Sequence, residues 1–311
     1  MEKNIVPIVF AVDDNYAPFL SVTLNSIFCN CSKDFYYKIY VLTDGLSEEN
    51  RKNLSIYNTE ISSVEYLNVK KNLEEIKDLL HLRDYFSNAT YYRFFIPSLL
   101  PQYDKVLYLD SDLIVLDDIS KLFFTDLENN YAGAVMEEVM SLVDVFGNYV
   151  EKGLGINRAN YFNAGVMLLN LKALREISLL EKFSALISKF IFKVTQDQDY
   201  LNVILKDKVK FLDLGWNKCP MKNDDFDCKN LKIIHFKLHL KPWLYDQVNF
   251  GEYFWEYANK SNSIEYIKKV KQNYGKDNIA KDLLAYKKLM RLACDYVKDD
   301  NCFYKVTGGK A

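Results

Sequence analysis

The chain has 311 residues and a formal net charge of −2. Hydrophobic residues make up 49% and charged residues 26%, which excludes a dominantly disordered chain, and 11 Gly with 6 Pro exclude collagen-like and linker-like classes. A duplex nucleic-acid binder would carry a strong basic excess, so no nucleic-acid partner is expected.

Taken in chain order, Ile5 to Val12 is an apolar run that ends in Asp13-Asp14. It lacks the charged start and small-residue cleavage site of a signal peptide, and reads as a strand. Leu20, Leu24, Ile27 and Phe28 then recur at helical spacing, with Pro18 in the first turn. Ile39–Leu42 reads as a strand and Ser47-Glu48-Glu49 as a helix start, with acids favoured by the dipole. Val64–Val69, Val106–Leu109, Ala132–Met136 and Val166–Leu171 are further strands. Several lack alternation, as strands buried on both faces do. Leu179, Leu180, Phe183, Leu186, Ile187, Phe190 and Ile191 mark an amphipathic helix, and Val209–Leu214 and Leu231–Phe236 close the region. Together these predict an α/β fold with a mostly parallel central sheet flanked by helices.

From Lys260 to Ala311 there are 12 Lys/Arg against 6 Asp/Glu, a reversal of the acidic balance elsewhere. Residues 1–255 read as one α/β domain and 256–311 as a small helical C-terminal extension. The extension's lysines suit a solvated face, or peripheral contact with anionic membrane. On the second reading residues 260–311 are dispensable for soluble activity. No run approaches the ~18 apolar residues that span a bilayer. The six cysteines contain no CxxC pair or zinc-like spacing and read as free thiols of a reducing cytoplasm.

Five segments carry chemistry. Asp110-Ser111-Asp112 follows an apolar strand, and carboxylates at i and i+2 of extended chain share one side. At the carboxyl edge of an α/β sheet, where ligands bind, such a pair suits Mg²⁺ or Mn²⁺ facing a diphosphate, or is a solvated turn. Asp13-Asp14-Asn15-Tyr16 follows the first strand and could hold a nucleoside or cap the next helix. In Tyr161-Phe162-Asn163-Ala164-Gly165, polar Asn163 and flexible Gly165 allow close approach to a ligand, or simply form a turn. Gln196-Asp197-Gln198-Asp199 precedes a short helix that Thr195 could cap, and could meet sugar hydroxyls. His235 to Trp243 holds two of three histidines four apart, without the Glu of a metalloprotease helix. His235 beside the carboxylates suits Mn²⁺, and Lys241 a phosphate. His81 and His239 read as structural or surface residues. Residues 137–160, opening on Glu137 and Glu138, read as an acceptor loop.

The motifs FAVDDNY, ATYYRFFIP, KVLYLDSD, YFNAGVMLLNL, QDQDYLN and H-x-x-x-x-x-K-P-W occur in this order. Over residues 5–245 the chain resembles glycosyltransferase family 8, the group of bacterial lipopolysaccharide galactosyl- and glucosyltransferases and glycogenin. The resemblance implies a GT-A fold, a UDP-sugar donor, Mn²⁺ (or Mg²⁺) and hexosyl transfer to a glycan acceptor with retention, by a cytoplasmic enzyme. Carried over by position, Asp110, Asp112 and His235 hold the metal. Asp13 and Asn15 contact the uridine, Arg93, Asp110 and Ser111 the donor, and Lys241 the diphosphate. Asn163, Asp197 and Gln198 line the sugar and acceptor pocket. Leu238 stands where the family pattern has Gly. The expectation is an ordinary backbone there, with Lys237 or His239 supplying the missing donor to a phosphate. The competing readings are a nucleotidyltransferase and a catalytically silent scaffold. The first lacks a basic, Gly-rich loop after the opening strand; the second would not retain both carboxylates.

Overall fold

The structure, a computed structural model, describes residues 3–80, 87–221, 226–238 and 240–310. His81 and His239 lie outside the described residues. Its strands are β1 (Ile5–Ala11), β2 (Tyr36–Thr43), β3 (Ser62–Asn68), β4 (Lys105–Leu109), β5 (Leu113–Val115), β6 (Ala132–Met136), β7 (Phe162–Asn170), β8 (Val209–Phe211) and β9 (Ile233–His235). The chain divides into two compact units, one of Met1–Val69, Val106–Asp126 and Asp213–Ile279, the other of Lys70–Lys105, Leu127–Leu212 and Ala280–Ala311.

In the first unit, strands in the order β3-β2-β1-β4 run parallel. Val6, Ile8, Val9 and Phe10 of β1 are all inaccessible, because a parallel strand is covered on both faces. Helix α1 (Ala17–Asn30) follows β1, with Pro18 in its first turn. Helix α2 (Glu48–Ser55) begins where the acids predict, and the Ser47 side chain accepts from Asn50 N at 3.3 Å. A separate two-stranded antiparallel ladder pairs β5 with β9, placing Leu113 opposite His235. At three residues, β5 is too short to leave a periodic signal. Its apolar side packs into a cluster with Phe19, Val22, Phe236, Trp243 and Phe254. There Trp243 stacks on Phe19 at 4.4 Å between ring centroids.

In the second unit the order is β7-β6-β8, with β6–β8 parallel and β6–β7 antiparallel. The β6–β7 register is irregular between Ala134 and Met136. Strand β7 starts four residues before the run read from sequence, so Asn163 and Gly165 lie within a strand rather than a turn. The amphipathic helix spans Leu179–Ile187 and stops short of Phe190 and Ile191. Its Phe183 stacks on Phe94 at 3.8 Å. Most described strand pairings are parallel, as predicted.

Helices Ile264–Asn273, Lys276–Lys298 and Phe303–Thr307 form the tail. The expectation that residues 260–311 are dispensable is corrected. Ile267 is wholly buried in the Trp243 cluster, and Ser261 Oγ lies 2.9 Å from Ser21 Oγ. Truncation would open a core. Among the described residues no helix is long and apolar enough to cross a membrane. All six cysteines are free.

The turn Leu214–Asn217 runs beside β9 at close quarters. A Cβ added at Gly215 would stand 1.8 Å from the Asn230 carbonyl oxygen, a backbone atom that cannot swing aside. Gly215→Ala is expected to cost about 2–3 kcal/mol, the scale of overpacking. Urea unfolding checks this, and a change below about 0.5 kcal/mol would show that the turn yields.

Candidate active site

In the first unit, β4 delivers Asp110 and Asp112 just beyond its carboxyl end, while the β5–β9 register brings His235 alongside. His235 Nε2 lies 3.2 Å from Asp112 Oδ1 and 3.6 Å from Asp110 Oδ2. One donor atom from each of the three falls within 4.8 Å of the others, so the group could hold a metal ion. The imidazole is only 3% exposed, and its Nδ1 meets Asn217 Oδ1 at 3.0 Å. Donation of Nδ1–H to that oxygen would leave Nε2 available to a metal ion. Two hard carboxylates and one imidazole fit Mn²⁺ or Mg²⁺ better than a soft metal. The backbone is held as firmly. Thr23 Oγ1 donates at 2.9 Å to the carbonyls of Ser111 and Leu113, and Phe236 N donates to Asp112 O at 3.0 Å. Ser111 is buried.

Lys241 joins this group. Its Nζ donates to Asp112 Oδ2 at 2.6 Å and to Phe236 O at 3.0 Å, and sits over the rings of Tyr16 and Trp243. Burial alone would raise the Asp112 carboxyl, but Lys241 and then His235 hold it well below the usual carboxylate range. After β1, Asp13 Oδ1 accepts from Tyr16 N at 3.0 Å, closing the turn before α1, while Asn15 is exposed. Asp14 ties the same turn to Ser47 N and Asn50 Nδ2, both at 2.7 Å. The expectation at Leu238 is corrected: its φ is +55°, the left-handed region. A leucine there costs roughly 1–2 kcal/mol relative to an ordinary conformation. The chain thus keeps the turn a glycine would favour, without the glycine.

A second cluster lies within the second unit. Arg93 Nε meets Asp197 Oδ2 at 3.1 Å with both side chains buried, and Arg93 Nη1 donates to Ala164 O at 2.6 Å. Thr90 Oγ1 also donates to Asp197. Gln198 Oε1 accepts from Ala164 N at 3.0 Å and from Asn163 Nδ2 at 3.1 Å. Asn163 Nδ2 also reaches Glu137 Oε2 at 2.5 Å. Asp199 turns away from Gln198 into the core. It is inaccessible and accepts from Tyr161 OH at 2.7 Å, Tyr149 OH at 2.9 Å and Thr195 N at 2.9 Å. Burial pushes its carboxyl above the ordinary value against those hydrogen bonds. Thr195 does not cap the Asp197–Ile204 helix; Gln196 stands there, at φ +53° and ψ −114°, and no side chain caps it. Such backbone costs about 1–3 kcal/mol, and the hold of Asp199 on Thr195 N helps to keep it.

Asn217 and Thr23 escaped the sequence reading, because they stand outside every motif. Glu137 and Glu138, at the start of the expected acceptor loop, are buried, at 3% and 2% exposure, and lead into the helix Glu138–Leu142.

Residues 7–247 match the family model described as Glycosyl transferase family 8. The chain belongs to that family. General stress protein A of Bacillus subtilis is 30% identical over 263 residues, covering 78% of this chain and 88% of that one. A lipopolysaccharide 1,2-glucosyltransferase of Escherichia coli K12 is 29% identical over 259 residues, covering 76% and 72%. The galactosyltransferase LgtC, solved in complex with donor and acceptor sugar analogues, superimposes with a TM-score of 0.70 at 28% identity, covering 83% of this chain and 96% of LgtC. The bifunctional glycosyltransferase WbbM gives 0.75 at 29% identity, and the family 8 chain spans about half of its length (52%). The GT-A fold and the hexosyltransferase class follow.

The Lys241–Asp112 pair sets a pH dependence. A carboxyl held low in the folded state contributes stability that is complete above its unfolded value, about 4, and is lost as pH falls through the folded value. Lys241→Met leaves Asp112 buried beside one fewer cation, so its carboxyl rises. The variant is expected to lose roughly 3 kcal/mol near neutral pH. That deficit should shrink as pH falls toward about 4, where protonation relieves the buried charge. Urea unfolding across this range decides it; a deficit that does not vary with pH would remove the pair as its cause.

Proposed function

We propose that this family 8 enzyme transfers a hexose from a UDP-sugar to a glycan acceptor of the lipopolysaccharide or cell-surface kind, with retention at the anomeric carbon. The observation that carries the reading is the Asp110, Asp112 and His235 group, gathered within 4.8 Å. These three residues hold Mn²⁺ or Mg²⁺, which when bound neutralises charge on the departing diphosphate. Lys241, 2.6 Å from Asp112, adds a cationic donor to the same phosphates, and Ser111 lies between the two carboxylates. Asp13 and Asn15 contact the uridine, their turn fixed by Asp14. Arg93 serves the donor by holding Asp197. Asn163, Asp197 and Gln198 line the sugar and acceptor pocket.

Retention by double displacement needs a carboxylate free to attack the anomeric carbon. Asp197 is paired with Arg93 and Thr90, and Asp199 is inaccessible and takes three hydrogen bonds. This supports front-face displacement, in which Gln198 presents an amide rather than a nucleophile. The leaving diphosphate needs no protonation, because charge is met electrostatically.

In this reading residues 256–311 are a helical extension of a cytoplasmic enzyme and rest on anionic lipid. Leu283 and Leu284 of the Lys276–Lys298 helix are 56% and 65% exposed, beside exposed Lys287, Lys288 and Arg291. Exposed apolar and basic side chains on one helix suit an interfacial position.

A panel of UDP-sugars with Mn²⁺ tests the activity. UDP release supports the transferase, pyrophosphate formation a nucleotidyltransferase, and silence a binding scaffold. Asp112→Asn is expected to cut transfer by at least about a hundredfold with folding retained. Near-normal turnover in that variant would remove the metal assignment. For the membrane, Lys287→Glu with Arg291→Glu is expected to abolish sedimentation with phosphatidylserine vesicles and leave UDP release unchanged. Parent binding should fall as salt rises, since screening acts within about 8–10 Å at physiological ionic strength. Undiminished sedimentation of the double variant would exclude this face.

A further inference from the structure

The helix carrying Asp197 and Gln198 also carries Asn202, one turn further on. Asn202 is 2% exposed, at the wall of a cavity of about 400 Å³ that Phe162 also lines. Its amide is fully used. Oδ1 accepts from Phe162 N at 2.8 Å, while Nδ2 donates to Phe162 O at 2.9 Å and to Gln198 O at 2.9 Å. One side chain thereby pairs both backbone groups of a single β7 residue, as a neighbouring strand would. The β6–β7 register is irregular near this point, with Met136 opposite Phe162.

Phe162 immediately precedes Asn163, and Asn163 and Ala164 are the residues whose N–H groups hold Gln198 Oε1. Asn202 therefore bonds to the backbone of Gln198 at one end and to the segment that grips the Gln198 side chain at the other. We propose that Asn202 is a positioning residue, which fixes the register between Gln198 and the start of β7 and so aims the Gln198 amide. The proposal rests on the role assigned above to Gln198. Few side chains meet the requirement. Aspartate would set an oxygen against the carbonyls of Phe162 and Gln198, and leucine would strand buried backbone groups. Glutamine is one methylene too long. A small displacement of a group near the reaction can cost about a hundredfold in rate without weakening substrate binding.

The experiment is a double-mutant cycle on UDP-sugar turnover with Asn202→Asp, Gln198→Ala and both together. Thermal melting and UDP affinity are measured alongside. Asn202→Asp is expected to lower kcat at least about tenfold, with donor KM and UDP affinity within about threefold of the parent. The double variant should be no slower than Gln198→Ala alone, because Asn202 acts through Gln198. If Asn202→Asp is recovered unfolded, Asn202→Ser, which also removes the amide, carries the same cycle. Losses that multiply would overturn the proposal, since a structural residue acts independently of Gln198. An unimpaired folded Asn202 variant beside an impaired Gln198→Ala would overturn the proposal alone. A silent Gln198→Ala would overturn both it and the role assigned to Gln198.

Discussion

Three residues of β5 paired with three of β9 hold the candidate metal group together. Asp112 lies one residue before Leu113, and Leu113 lies opposite His235. Without that register the imidazole and the carboxylates would be separated by more than a hundred residues of chain. A ladder so short has little stability of its own. It persists because Ile114 and Ile234 are buried in the Trp243 cluster and because Thr23 takes two carbonyls of the Ser111–Leu113 segment. Burial of Trp243 thus contributes to the site twice. It anchors β9, and it fixes the turn from which Lys241 reaches Asp112.

The charges in this group are balanced rather than merely close. Burial raises the free energy of an ionised Asp112, and Lys241 with His235 more than offsets it. Asn217 holds the imidazole from its far side, through Nδ1. The left-handed turn at Leu238 is part of the cost of this balance.

The second cluster works by hydrogen bonds among groups of fixed direction. Gln198 Oε1 is held by two N–H donors, Asp197 by Arg93 and Thr90, and Asp199 by two tyrosines and a backbone amide. Neighbouring residues of one motif thus have unlike duties. Residues 197 and 198 face other side chains of the candidate site, and 199 and 202 secure the segment that carries them.

Much was legible from sequence. Apolar runs located the long strands, Pro18 and Ser47-Glu48-Glu49 located helix starts, and six ordered motifs carried the family. These signals are local, because strand burial and helix capping act over a few residues. The pairing of β5 with β9, the contact of Asn217 with the His235 ring, the inward turn of Asp199 and the clamp of Asn202 on Phe162 left no such trace. Each joins segments distant in sequence by a contact only a few ångströms long. At Leu238 the residue's own preference pointed to an ordinary backbone. Only the tertiary structure decided otherwise, because the strand on one side and the buried Lys241 and Trp243 on the other fix both ends of the turn.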